Sequence, residues 1–133
     1  AVEASLTGHT VISTVHSGAG QAAHTRIALL TQKRFPIAFD TSLYQVGQAF
    51  PLIIHTRKLE DNSRKILDIT ECETHPDGTR QYRTLHRYRI TENILEKEFW
   101  YIQGHFEKVN AVSDSLKERL IQAGAPQSAL KNL

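Results

Sequence analysis

The sequence predicts a mixed α/β fold: helices around one short strand, then an antiparallel meander of about four strands, then a terminal helix. Three observations carry that expectation. Thr10–Val15 is a charge-free run rich in β-branched residues, bounded by Gly8 and Gly18. Glu60-Asp61-Asn62-Ser63 and His75-Pro76-Asp77-Gly78 are strong turn sequences set between strand-like runs. Ser113 with Asp114 at one end, and Gly124 followed by Pro126 at the other, bracket a helix.

In chain order, AVEASLTGH reads as the last turns of a helix, with Gly8 where a left-handed cap is wanted. A helix that begins with its own end suggests truncation. Thr10–Val15 reads as a strand buried on both faces, as in a parallel sheet. Ser17-Gly18-Ala19-Gly20 is a loop. Ala23, Ile27 and Leu30 then mark one face of a helix running to about Lys33, and Pro36 ends the pattern. Asp40 or Thr41 is placed to cap a short helix with Leu43, Val46 and Phe50 on one side. From Pro51 the texture changes. Leu52–Leu59 and Arg64–Cys72 form a hairpin, Gln81–Ile90 alternates, and a last strand spans about Glu98–Phe106. In the alternating run Tyr82, Thr84, His86, Tyr88 and Ile90 share one face; Arg83, Leu85, Arg87 and Arg89 share the other. The closing helix turns Leu116, Leu120 and Ile121 inward.

The 133 residues fit one domain with a sizeable core. A 40% hydrophobic and 23% charged composition with net charge +2 does not by itself imply a nucleic-acid or membrane partner. The single cysteine, Cys72, excludes an internal disulfide framework. No apolar run approaches the ~20 residues of a membrane span, and Glu3 and Thr7 interrupt any signal-peptide core. The chain holds no methionine, which suggests a piece cut from a longer one.

The richest segment chemically is Leu6–Ser17. A strand ending in Ser13-Thr14-Val15-His16 brings polar groups out at the carboxyl edge of a sheet, where open α/β sheets bind ligands. His16 can donate to an anionic oxygen, Thr14 and Ser13 can orient a water, and the following helix start offers backbone N–H groups. A histidine satisfied at the end of a core strand is the alternative. His9 reads as a helix-exit residue.

LTGHTVISTVHS followed by Arg26 resembles the histidine box of the secretion-ATPase family, the hexameric motors of type II and type IV secretion and of type IV and tight-adherence pili. Residues 1–34 match that arrangement almost continuously. RKLEDNSRKILDITE within Ile53–Glu71 is similar to a later hairpin of the tight-adherence and conjugation-type members, with Asp61-Asn62 in the turn. About three quarters of the chain falls under the resemblance. It implies the C-terminal part of a RecA-like P-loop NTPase core: residues 1–50 carry a partial core with the histidine box, and residues 51–133 the strand meander and C-terminal helix as one continuous unit. It implies catalytic roles for His16 and Thr14, with His16 sensing the γ-phosphate. His9, Ser13 and Arg26 become nucleotide-sensing or subunit-interface residues, although Arg26 also suits a solvated helix position.

The resemblance further implies ATP and Mg²⁺ in the parent enzyme, a homo-hexamer, inner-membrane secretion or pilus partners, and a cytoplasmic place at the inner face of the membrane. Departures matter as much. No Gly-Lys-Ser/Thr loop is present, since Ser17-Gly18-Ala19-Gly20 leads into Gln21-Ala22-Ala23, and no strand ends in an acidic pair. In the family both lie upstream, so this chain alone is expected to be inactive and to need no cofactor.

A competing class is a non-catalytic binding module. On that view Arg80, Arg83, Arg87 and Arg89 recruit nucleic acid or an acidic protein. Tyr82 and Tyr88, however, lie on the opposite strand face from three of these arginines, and Glu71 or Glu73 are natural cross-strand partners for Arg83 and Arg87. The seven histidines show no metal-site spacing. Phe99, Trp100, Tyr101 and Phe106 read as core, although an alternating strand would expose some of them as a docking surface. No Ser/His/Asp arrangement is expected, and Asp68 and Asp77 read as strand-surface and turn residues.

Overall fold

The computed structural model describes residues 1–131 and 133. Helices α1 (Val2–Leu6), α2 (Gly20–Gln32) and α3 (Phe39–Ala49) come first. Strands β1 (Leu52–Lys58), β2 (Arg64–Thr74), β3 (Arg80–Glu96) and β4 (Phe99–Lys108) follow, then α4 (Asp114–Gln122) and α5 (Gln127–Leu130). The strands form one antiparallel sheet in the order β1-β2-β3-β4, the expected meander. The class is therefore mixed α/β. No described helix is long and apolar enough to cross a membrane.

Along β2 the side chains alternate between two packed faces. Cys72 and Thr74 meet α3, where a Cβ on Gly47 would lie 2.7 Å from Thr74 Cγ2 and 3.3 Å from Cys72 Sγ. Only a glycine lets α3 approach that closely. Glu71 points the other way, to the start of α4, and accepts from the Ser113 amide (2.9 Å) and from the Ser113 hydroxyl. Buried Ala23, Ala28, Val46 and Ala49 fill the helical layer, and the Ser5 hydroxyl ties α1 to the Ala49 carbonyl at 2.7 Å.

Both helix stops read from glycine hold. Gly8 and Gly124 sit at φ +95° and +82°, the left-handed geometry of a C-terminal cap. Ser113 caps α4 by accepting from the Leu116 amide.

Several expectations are corrected. Thr10–Val15 is no strand: the segment pairs with no other strand, and Ile12 is 93% exposed. A β-branched run is a strand only when its backbone pairs with another, and this one lines a cleft with edge strand β1 without pairing to it. In α2 the inward face turns to Ala23, His24, Ile27 and Ala28, leaving Leu30 49% exposed. Helix α3 begins one residue before Asp40, capped by no side chain, with Asp40 in its first turn. In α4, Leu116 is buried and Leu120 half-buried, but Ile121 faces out.

The alternation of β3 is also interrupted. Thr84 pairs with Thr70 but His86 pairs with Ile69, so Leu85 is an extra, buried residue at a bulge. Finally, β3 and β4 run on past the rest of the sheet as a two-stranded arm. Lys97 and Glu98, both at positive φ (48° and 72°), make its two-residue turn. Phe99, Trp100, Tyr101 and Phe106, expected in the core, are exposed on it, Phe99 at 68%. Phe106 stacks on His86 with ring centroids 5.7 Å apart, and Trp100 and Tyr101 face Leu95 and Ile94 across the arm.

Candidate functional site

A cleft of about 210 Å³ lies between the extended segment before α2, the N-terminus of α2 and strand β1. Ser13, Thr14 and Ser17 line one wall; Ile53, His55 and Thr56 line the other. The Ser17 hydroxyl donates to the Ala19 carbonyl (2.9 Å), which fixes the turn into α2. No side chain caps α2, so its first amides are left to other partners. The cleft thus joins hydroxyl groups to a helix start.

The other wall was not anticipated. His55 Nδ1–H donates to Asp68 Oδ2 at 3.0 Å, and the Thr70 hydroxyl donates to Asp68 Oδ1 at 3.1 Å. Asp68 is therefore no simple strand-surface residue. It orients an imidazole whose Nε2 has no hydrogen-bond partner among the described residues. A carboxylate holding one imidazole nitrogen while the other stays free is the orienter–base half of a catalytic constellation. The same carboxylate also lies close to the α2 start, where a Cβ on Gly20 would be 3.7 Å from Asp68 Oδ1, so it also complements the helix dipole.

A bulge hides this pair from the sequence. Lys58↔Arg64, Arg57↔Lys65 and Thr56↔Ile66 continue in simple register, which would set His55 against Leu67. The register slips by one between His55 and Thr56 and brings in Asp68 instead.

Behind the cleft runs a second polar chain. His24, 1% exposed, donates from Nε2 to the Phe50 carbonyl (3.0 Å) and accepts at Nδ1 from the Tyr82 hydroxyl (3.1 Å). The Cys72 thiol bonds to Tyr82 in turn. Because the tyrosine proton points at His24, the thiol is the donor in that contact. Burial pulls the His24 pKa below its ordinary value, against the pull of the Phe50 carbonyl, with help from the Arg80 charge. Burial likewise pushes the Cys72 thiol and the Tyr82 phenol up. The result is a neutral, fully satisfied relay that pins α2 to β2 and β3. A histidine on a helix carried no sequence signal for it.

The remaining sequence-derived candidates stay apart. His16 is exposed and does not line the cleft, although Thr14 and Ser13 do. His9 is a helix-exit residue, its Nδ1 3.2 Å from the Ala4 carbonyl. Arg26 is exposed on α2, beside Leu29 and Leu30. Among the described residues, two of the four arginines of the basic strand, Arg83 and Arg89, are ion-paired. Arg83 meets Glu73 at 3.6 Å, and Arg89 spans both Glu107 oxygens from Nε at 3.1 and 3.0 Å. Among the described residues no three metal-ligating side chains gather.

These features define a mixed α/β protein with a hydroxyl-lined cleft beside a carboxylate-oriented imidazole. Neither a family model nor a curated protein matches the chain.

Proposed function

We propose that this chain is the C-terminal portion of a hexameric ATP-hydrolysing motor of bacterial-type secretion, pilus assembly or conjugative DNA transfer. On this reading residues 1–50 belong to a RecA-like core whose other strands lie upstream. The observation that carries it is the state of Thr10–Val15. On this reading a charge-free, β-branched segment with Ile12 93% exposed and its backbone unpaired is a strand without its neighbours. Insertion between parallel strands of a RecA-like sheet would bury Ile12 and pair its amides. It would also bring Thr14 and His16 to the carboxyl edge beside the start of α2.

In that setting His16 hydrogen-bonds a phosphate oxygen and reports its loss, with Thr14 and Ser13 orienting water nearby. His9 and Arg26 serve nucleotide sensing or the boundary with the next subunit. The parent uses ATP with Mg²⁺ and works through inner-membrane secretion or pilus partners. The residues present do not themselves fit that nucleotide, because residues 17–20 lead to Gln21 and not to a lysine and hydroxyl. The 133-residue chain alone is therefore inactive.

The test joins this chain to its parent sequence. The reading expects a phosphate loop upstream of Ala1 and ATP turnover by the joined protein that His16→Ala reduces by about 10²-fold or more, the size of losing one transition-state donor. An unrelated domain upstream, or ATP turnover by the 133-residue chain above its own His16→Ala control, overturns it.

A further inference from the structure

The two hairpins of the meander carry opposite charge, and both end at the same side of the sheet. Alternating strand direction puts the β1–β2 turn and the β3–β4 turn at one edge. Within one copy they touch where Asp61, held mainly by Ser63, also faces the Ile102 amide.

The β1–β2 hairpin is cationic in an unfavourable way. Arg57 sits directly across from Lys65, and Lys58 across from Arg64. Like charges directly opposed on a ladder destabilise it, and among the described residues none of the four forms an ion pair. Ile66 is exposed beside them.

The arm is its complement. Residues 91–101 are all exposed. Glu92, Ile94 and Glu96 share one face with Tyr101 and Phe99, by the pairings Ile94↔Tyr101 and Glu96↔Phe99. Glu98 adds a further carboxylate at the tip. Among the described residues none of these three glutamates is ion-paired.

We infer that this end of the sheet is an interface with a second copy of the chain, the acidic apolar arm of each copy lying on the basic hairpin of the other. Because both patches sit at the same end, one twofold axis makes both contacts at once. The arm (residues 91–101) and the hairpin (residues 57–66) each present one face to the contact, which the twofold axis makes twice. Exposed aromatic side chains supply apolar area, and opposed charges set the register. The contact stands or falls independently of the motor reading.

Sedimentation of the 133-residue chain from micromolar to sub-millimolar concentration tests it. The expected species is a dimer of about 30 kDa, twice the 15.0 kDa chain, weakened by salt. Glu92→Lys/Glu96→Lys/Glu98→Lys makes both patches basic, and Arg57→Glu/Lys58→Glu/Arg64→Glu makes both acidic. Each triple variant should be monomeric alone, and an equimolar mixture should form a 1:1 heterodimer.

A second readout keeps the native charges elsewhere. Under a mild oxidant such as copper–phenanthroline, a Glu96→Cys chain mixed with an Arg64→Cys chain should form a disulfide between chains, Cys72 being buried. A monomeric wild type overturns the inference, including one that instead binds anionic vesicles. So do triple variants that self-associate like the wild type, a mixture that stays monomeric, or the lack of that disulfide.

Discussion

Neutral His24 makes folding stability depend on pH in a window that can be stated in advance. Its proton-free form is built in: Nδ1 accepts from Tyr82 and Nε2–H donates to Phe50, at 1% exposure. The folded pKa lies below the ordinary value of 6.5 because burial disfavours the imidazolium. The unfolded chain therefore binds the proton first as pH falls. Stability from His24 is complete above pH 6.5, declines as pH drops through it, and is gone once pH has passed below the folded pKa. Between the two values one proton is worth up to about 1.4 kcal/mol per pH unit. The carboxyls of Asp61, Asp77 and Glu107 have folded pKa values below the ordinary carboxylate range, so their losses come at lower pH. Urea unfolding at pH 7.5, 6.5 and 5.5 measures the slope. Subtracting the profile of His24→Gln isolates this one group from the other six histidines. Equal pH slopes for wild type and His24→Gln between pH 7.5 and 5.5 would refute the reasoning.

Other substitutions follow from the same geometry. Tyr82→Phe removes the donor to His24 Nδ1 and should cost about 1–3 kcal/mol, read as a lower urea midpoint at unchanged slope. Glu71→Ala strands the Ser113 amide inside and releases the start of α4; a loss under about 1 kcal/mol in the same assay would show that this carboxylate holds nothing in place. Gly47→Ala pushes a methyl to 2.7 Å from Thr74 Cγ2 and should lower stability by about 1–3 kcal/mol, with a thermal midpoint no lower than wild type as the contrary result. Lys97→Asn with Glu98→Gly puts residues suited to positive φ into the arm turn, so the thermal midpoint should rise by a few degrees.

The antiparallel meander, the Gly8 and Gly124 caps and the Ser113 cap were all legible in sequence. Each rests on a local rule: alternation, turn chemistry, or the freedom of glycine at positive φ. Ser13 and Thr14 were read as the carboxyl end of a buried strand; they line the cleft from an unpaired segment instead, with Ser17 beside them. The other wall of the cleft was not legible. Bulges at His55/Thr56 and at Leu85 shift pairing by one residue, and a one-residue shift decides whether Leu67 or Asp68 faces a histidine.

By itself, then, the sequence determined which segments turn, cap and alternate, since those depend on neighbours a few residues away. Tertiary structure decided the rest. It left Thr10–Val15 unpaired although edge strand β1 lies across the cleft from it, and it carried Phe99, Trp100 and Tyr101 out on an arm when their hydrophobicity alone argued for the core. It also joined His24, Tyr82 and Cys72 into one relay across three elements. Burial and pairing depend on what lies across the sheet, and no local pattern records that.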